Sequence, residues 1–417
     1  MPAATRSLTL TDVHDHVRRH CFTPSGPPGR VGVELELLTM VAGSPGGRPT
    51  QADLFGAMDG LALPEGGRLT AEPGGQVEIS SRPHVGPAAA IAATAADLRV
   101  LQAGLDSAGI CTAALGLDPS RPNRRAVRSP RYDAMEAYFE GDGGDGGAGM
   151  AMMCSTASVQ VNLDLGDAAD LPRRWRMAHT LGPVLVAAFA NSPLAAGTPT
   201  GARSSRQQIW ALLDPTRSAP ALSLLPPADA WARYALAARV LLVRAGRDHF
   251  VPVRTGLSFR KWMSEGHELG YPVLDDFAYH LTTLFPPVRP KGWLELRMID
   301  AVPDPWWQVA VAVTIALLDD PEAFATAERA CRPVADCWPE AAAHGLSHPG
   351  LASAARTCFA AALDALPRLH LDRHTVAGTE DFFDRYVGRG RSPADDLLDA
   401  WRGSDARRPR MATASRR

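Results

Sequence analysis

The sequence has no surplus of charge of either sign. Its 43 basic and 45 acidic side chains leave a formal net charge of −2. It therefore lacks the basic excess that nucleic acid or an anionic membrane surface selects. A small anionic ligand stays open, because a pocket needs only local charge. Cysteine is sparse: Cys21, Cys111, Cys154, Cys331, Cys337 and Cys358 form no CxxC pair and no zinc-like spacing. In a chain of 417 residues they are expected to be reduced thiols. No basic start precedes an apolar run at the N-terminus, so no signal peptide is expected. The apolar runs 184–190 and 309–318 fall well short of the ~20 residues of a membrane span. The expected compartment is the cytoplasm. There is no G-x-x-x-x-G-K-[ST] loop, which excludes a P-loop nucleotide binder, and Gly74-Gly75 is a turn signal rather than a dinucleotide fingerprint.

What is present reads as a globular chain, with 46% hydrophobic and 21% charged residues. The breakers Pro24, Pro27, Pro28 and Gly29 end a poorly patterned start. Residues 1–28 are expected to be flexible, 29–401 a single folded domain, and 402–417 a disordered basic tail. Strands are expected over 30–38, 75–80, 110–117, 155–165 and 292–299. Helices are expected over 50–63, 87–109, 132–139, 171–190, 229–237, 275–284 and 305–318, with Ala-rich helices after that. In the helix from Pro87 to Gly109, Pro marks the start, Gly the stop, and Ile91, Leu98, Leu101 and Leu105 share a face. Residues 141–149 hold six glycines and two aspartates. Such a stretch suits either a mobile surface loop or a lid over a site. The strands carry a polar face, whereas a parallel sheet covered on both sides would read as continuous apolar runs. The expected fold class is α+β, with an antiparallel sheet that has helices on one face and is open on the other.

The polar faces carry the chemistry. Along a strand, residues i and i+2 point the same way. Glu34 and Glu36 therefore share a face between Val33, Leu35 and Leu37. Gln76 and Glu78, Gln160 and Asn162, and Glu295 and Arg297 do the same on three further strands. Surface strands usually carry Thr, Lys, Ser and mixed charge; these carry paired acids and amides with one cation. Neighbouring carboxylates repel unless something positive lies between them. Carboxylate and amide oxygens are hard ligands that suit Mg²⁺ or Mn²⁺, and the absence of histidine argues against zinc. Mg²⁺ completes its shell with water and substrate phosphates. Several acids and an arginine in one cavity thus point to nucleotide phosphates.

The segments holding these residues resemble the glutamate–cysteine ligase type 2 family. They are Gly32-Val33-Glu34-Leu35-Glu36, Glu72 to Ser80, STASVQVNLD (155–164) and Leu294-Glu295-Leu296-Arg297. Residues 279–304 (YHLTTLFPPVRPKGWLELRMIDAVPD) are similar, as are Asn191-Ser192-Pro193 and Ser204 to Trp210 with Asp214 and Arg217. The resemblance is strongest to the actinobacterial branch that supplies γ-glutamylcysteine for ergothioneine synthesis. It implies a glutamine-synthetase-like fold: a curved, mainly antiparallel sheet forming an active-site funnel, with helices on its outer face. It implies Mg²⁺ (or Mn²⁺) bound by Glu34, Glu36, Glu72, Glu78, Gln160 and Glu295, with Asn162 able to replace or support Gln160. Arg297 is implied at the transferred γ-phosphate, Arg206 and Arg217 at substrate carboxylates, and Lys291 and Arg289 at the nucleotide. Trp262, Tyr279 and Trp293 are expected as core or pocket wall, and Cys154 as a buried small residue. The implied reaction joins glutamate to cysteine at the expense of ATP, through a γ-glutamyl phosphate. A related ligase with another amine acceptor and a non-catalytic amino-acid-binding homologue are the rival readings.

Overall fold

The computed structural model describes residues 8–44, 46–141 and 147–405. Eight strands form one sheet: β1 (Arg30–Val41), β2 (Arg68–Ala71), β3 (Val77–Ser80), β4 (His84–Val85), β5 (Ile110–Ala113), β6 (Ser158–Leu163), β11 (Val288–Pro290) and β12 (Leu294–Asp300). The numbers between belong to two small hairpins, β7 (Leu194–Ala195) with β8 (Thr198–Pro199) and β9 (Leu242–Arg244) with β10 (Phe250–Pro252). The order is β11-β12-β6-β1-β3-β2, with β4 and β5 on the two ends of β1. Every pairing is antiparallel.

Alternation on β1 sets the sheet's two faces. Val31, Val33, Leu35 and Leu37 are buried on one side. Each such side chain contributes about 1.5–3 kcal/mol when fully buried, so a one-residue slip of register is strongly disfavoured. That face meets the helices Pro87–Ser107 and Trp306–Asp319. The first has the length and apolarity to cross a membrane by composition alone. Here it places Ala90, Ile91, Leu98, Leu101 and Leu105 in the core. The second is apolar all round, as a helix covered on every side must be.

Three expectations change. Residues 1–28 are not one flexible segment: Leu10–His20 is a helix with Val13 and Val17 buried. Thr9 caps it, accepting from the Asp12 backbone at 3.2 Å while the Asp12 carboxylate accepts from the Thr9 N–H at 2.9 Å. The expected helix 171–190 is two, Leu171–Thr180 and Gly182–Ala188, because Pro183 lacks an N–H and suits a helix start. The expected strand 155–165 is shorter, since Ala148–Ser155 is helical. Of the glycine-rich stretch 141–149, residues 142–146 lie outside the described residues. So do residues 406–417 of the expected tail, while 402–405 belong to the helix Pro393–Asp405.

Candidate active site

The open face of the sheet gathers the acids. Glu34 lies opposite Gln160 on β6 and Ser80 on β3, and Glu36 lies opposite Glu78. Glu295 lies between Arg289 on β11 and Asn162 on β6. Glu72 joins them from the turn that links β2 to β3. In that turn the Glu72 N–H donates to the Gln76 carbonyl at 2.7 Å and the Gly75 N–H donates to the Glu72 carbonyl at 2.9 Å. Gly74 has no alternative there, because a Cβ would overlap the Cys154 carbonyl. Cys154 itself is buried, and burial pushes its thiol up to about 12.

Of these acids, Glu36 and Glu72 border a cavity of about 750 Å³. Its floor includes Glu36 and Glu72, its walls Tyr132, Trp210 and Phe285, and its cations Arg68, Arg128, Arg131, Arg206, Arg289 and Arg297. A second cavity of about 520 Å³ adjoins it and shares Arg206, Trp210, Phe285 and Arg297. Arg68, Arg128 and Arg131 were not anticipated. The run of arginines from Arg121 to Arg131 was the available signal, but nothing local says which of them faces the cavity.

The acids fall into two classes. Glu295 is fully buried and already neutralised. Arg289 grips it with two bonds, at 2.6 and 3.1 Å, Lys291 donates at 3.1 Å, and Arg297 donates at 3.1 Å. Burial alone would push its carboxyl up; Arg289, Arg297 and Lys291 outweigh burial and hold it well below the usual carboxylate range. Those four bonds occupy the lone pairs a carboxylate offers. In this arrangement Glu295, expected as a metal ligand, is the hub of an ion-pair cluster.

Glu34, Glu36, Glu72 and Glu78 are the opposite case. The donors to three of them are neutral: Asn162 to Glu34 at 3.2 Å, Ser158 and Gln160 to Glu36 at 3.0 and 3.1 Å, Thr70 and Ser80 to Glu78 at 3.2 and 2.9 Å. Burial, then the charges of Glu295 and Glu78, raise Glu34 to about 7. Burial, then Glu78 and Glu36, raise Glu72 to about 8. Burial also raises Glu36 and Glu78. A divalent cation would offset that repulsion, and the donors are all hard oxygens, so the set fits Mg²⁺. Among the described residues no three acidic, histidine or cysteine side chains converge on one point. Ions here would be held by few protein ligands each, as suits a metal that shares its shell with water and phosphate.

The other expected residues divide. Gln160 bridges Arg297 and Glu36: its oxygen accepts from Arg297 at 2.6 Å and its amide donates to Glu36. Asn162 accepts from Trp293 at 2.8 Å while serving Glu34. Arg206 lines the cavity, is buried, and leaves its Nε and Nη1 without hydrogen-bond partners. Arg217 is placed elsewhere. It is fully buried, donates to the Thr283 and Arg239 carbonyls at 2.9 and 2.5 Å, and stands 3.6 Å from Asp214. Its guanidinium is committed to the fold, and it does not border the cavity.

Comparison with known proteins shows the family. Residues 30–413 match the family model described as glutamate-cysteine ligase family 2 (GCS2). The chain is 45% identical over 379 residues to glutamate–cysteine ligase EgtA of Mycolicibacterium smegmatis, covering 90% of this chain and 88% of that protein. It is 39% identical over 411 residues to glutamate–cysteine ligase EgtA of Mycobacterium tuberculosis, covering 95% and 92%. A chloroplastic glutamate–cysteine ligase of Medicago truncatula is 31% identical over 324 residues, covering 72% and 62%.

Proposed function

The chain belongs to glutamate–cysteine ligase family 2, and from that premise we propose that it joins the γ-carboxylate of glutamate to the amine of cysteine with cleavage of ATP to ADP and phosphate. The observation that carries the proposal is a group of four under-neutralised carboxylates on one sheet face, two of which, Glu36 and Glu72, line a cavity walled by arginines. A triphosphate needs both: cations over its oxygens and hard oxygens to carry its metal.

A carboxylate is a poor acyl donor until one of its oxygens becomes a leaving group. The glutamate γ-carboxylate attacks the γ-phosphorus of ATP, and ADP departs. The cysteine nitrogen then attacks the acyl carbon of the γ-glutamyl phosphate, phosphate leaves, and the amine loses a proton. Glu34, Glu36, Glu72 and Glu78, with the Gln160 oxygen, would hold Mg²⁺. Bound there, the metal supplies charge neutralisation on the phosphates. Arg297 faces the transferring phosphoryl group, pre-aimed by Glu295 and Gln160. Arg289 and Lys291 place Glu295 and add positive charge on the nucleotide side. Arg206 takes a substrate carboxylate with its buried, unpartnered N–H groups. Tyr132, Trp210 and Phe285 exclude water, which would otherwise hydrolyse the acyl phosphate. No nucleophilic serine or cysteine is needed; the enzyme works by placing three substrates. We place this reaction in the cytoplasm, at the entry to ergothioneine synthesis.

The test is mass detection of γ-glutamylcysteine from glutamate, cysteine, ATP and Mg²⁺. A panel of other amines, run alongside, reports the acceptor. ADP release with a different amine, and none with cysteine, would replace the acceptor. Glutamate binding with no ADP at all would replace the ligase reading.

A further inference from the structure

We infer that Asp300 is a positioning residue that sets Arg206 against the carboxylate of an amino-acid substrate, through the hydroxyls of Ser192 and Ser204. The inference rests on the reading of Arg206 given above.

Asp300 ends β12 and is buried. One carboxylate oxygen accepts the Asn191 N–H at 2.9 Å and the Ser192 hydroxyl at 2.7 Å; the other accepts the Ser204 hydroxyl at 2.9 Å. An ionised carboxylate only accepts, so both hydroxyl protons are committed to it. The serine lone pairs are then turned toward the helix Ser205–Leu212. Ser192 Oγ accepts the Arg206 N–H at 3.1 Å, and Ser204 Oγ accepts the Gln207 N–H at 3.2 Å. These are first-turn donors that the helix itself leaves unmatched. One carboxylate thus pins the turn that carries Arg206 onto the active-site sheet.

The surroundings are built for this contact. The Asn191 amide donates to the Ala114 and Ala301 carbonyls at 3.0 and 2.8 Å, which fixes the segment that presents Ser192. Gly116 leaves room for the carboxylate, since a Cβ there would collide with it. Arg206 Nη2 donates to the Arg297 carbonyl at 2.9 Å, and Arg206 Nη1 stands 3.8 Å from Asp300, too far for a hydrogen bond. Asp300 therefore supplies counter-charge without consuming the N–H groups of the fork. The Nε and Nη1 groups are buried and have no hydrogen-bond partner, which a bound carboxylate would supply. Asparagine at 300 would turn an NH₂ toward one of the present donors and displace the first turn of the helix.

The experiment compares steady-state kinetics of Arg206→Lys, Asp300→Asn, Ser192→Ala and Ser192→Thr with wild type, varying glutamate, cysteine and ATP separately. Arg206→Lys identifies the amino acid whose KM depends on the guanidinium fork. Asp300→Asn is expected to raise that same KM roughly tenfold or more, with the KM for ATP unchanged. Ser192→Ala is expected to raise it roughly two- to tenfold, and Ser192→Thr, which keeps the hydroxyl, to restore it. If Asp300→Asn fails to fold, the Ser192 pair decides. A fall in thermal stability with all KM values unchanged, or an equal rise in all three, overturns the inference while leaving Arg206 in place. An Arg206→Lys enzyme with no KM altered removes the Arg206 reading, and this inference with it.

Discussion

Glu36 and Glu78 face each other directly across the β1–β3 pairing. Like charges in that position destabilise a sheet, and burial raises both carboxyls. A cation between them would offset that repulsion.

The metal-free protein should lose stability as pH rises through neutrality. Glu34 is raised from 4.5 to about 7 and Glu72 from 4.5 to about 8. Between those limits the folded chain holds more protons than the unfolded one, so unfolding becomes easier with increasing pH. The contribution is fully present below 4.5 and is lost as pH rises to about 8. Calorimetry in EDTA at pH 5 and pH 8 tests this, with Glu72→Gln as the control that reduces the slope. Mg²⁺ should raise Tm more at pH 8 than at pH 5. Equal increments at both would remove these carboxylates as the ion site.

Glu36→Gln keeps the size of the side chain and its place beside Ser158 and Gln160. We expect a folded protein with almost no turnover. Circular dichroism with an ADP-release assay separates the two properties. Normal activity would end the metal-binding role of Glu36.

Glu295→Gln should behave differently from Glu36→Gln. It strips the counter-charge from Arg289, Lys291 and Arg297 at once. Leaving buried charges unpaired costs about 3–5 kcal/mol. Because the Glu295 carboxyl is held low, its contribution is present above the ordinary carboxylate value and lost only in strong acid. Urea unfolding at pH 7 should show the loss. A variant as stable as wild type would mean the cluster does not hold the site together.

Arg297→Lys should lower kcat by about 10²- to 10³-fold, because an ammonium cannot bridge Gln160 and Glu295 and also face a phosphoryl group. Single-turnover kinetics check whether the loss lies in the chemical step. A change confined to the KM for ATP would place Arg297 in ground-state nucleotide binding only.

Arg217→Ala is expected to weaken the fold and spare substrate affinity. It leaves the buried Thr283 carbonyl without its donor, at about 1–3 kcal/mol for an unsatisfied buried group, and removes the part-buried bond to the Arg239 carbonyl. Thermal melts with KM measurements below the melting range test this. A KM rise for one amino acid at unchanged Tm would return Arg217 to the substrate site.

Much of this site is legible in the sequence. Strand alternation assigned Glu34, Glu36, Glu78, Gln160 and Arg297 to polar faces, and those faces do meet on one side of one sheet. The helix at Leu10–His20 was also written in the sequence as Thr9 and Asp12 three residues apart. It was obscured by the proline cluster that follows it.

Alternation is a property of consecutive backbone dihedrals, so the sequence by itself determined which side chains share a face. It could not determine what each face meets, because that depends on strands far away in the chain. Only the tertiary structure filled the lone pairs of Glu295 with Arg289 from β11 and turned Arg217 into the fold. It also decided Asp300. Period two from Glu295 and Arg297 points Ile299, not Asp300, toward the open face. A register shift between Leu296 and Ile299 inserts one residue opposite Gln160 and sets Asp300 across from Ser158, whose hydroxyl donates to Glu36. A bulge is settled by the pairing of two strands, and neither strand alone encodes it.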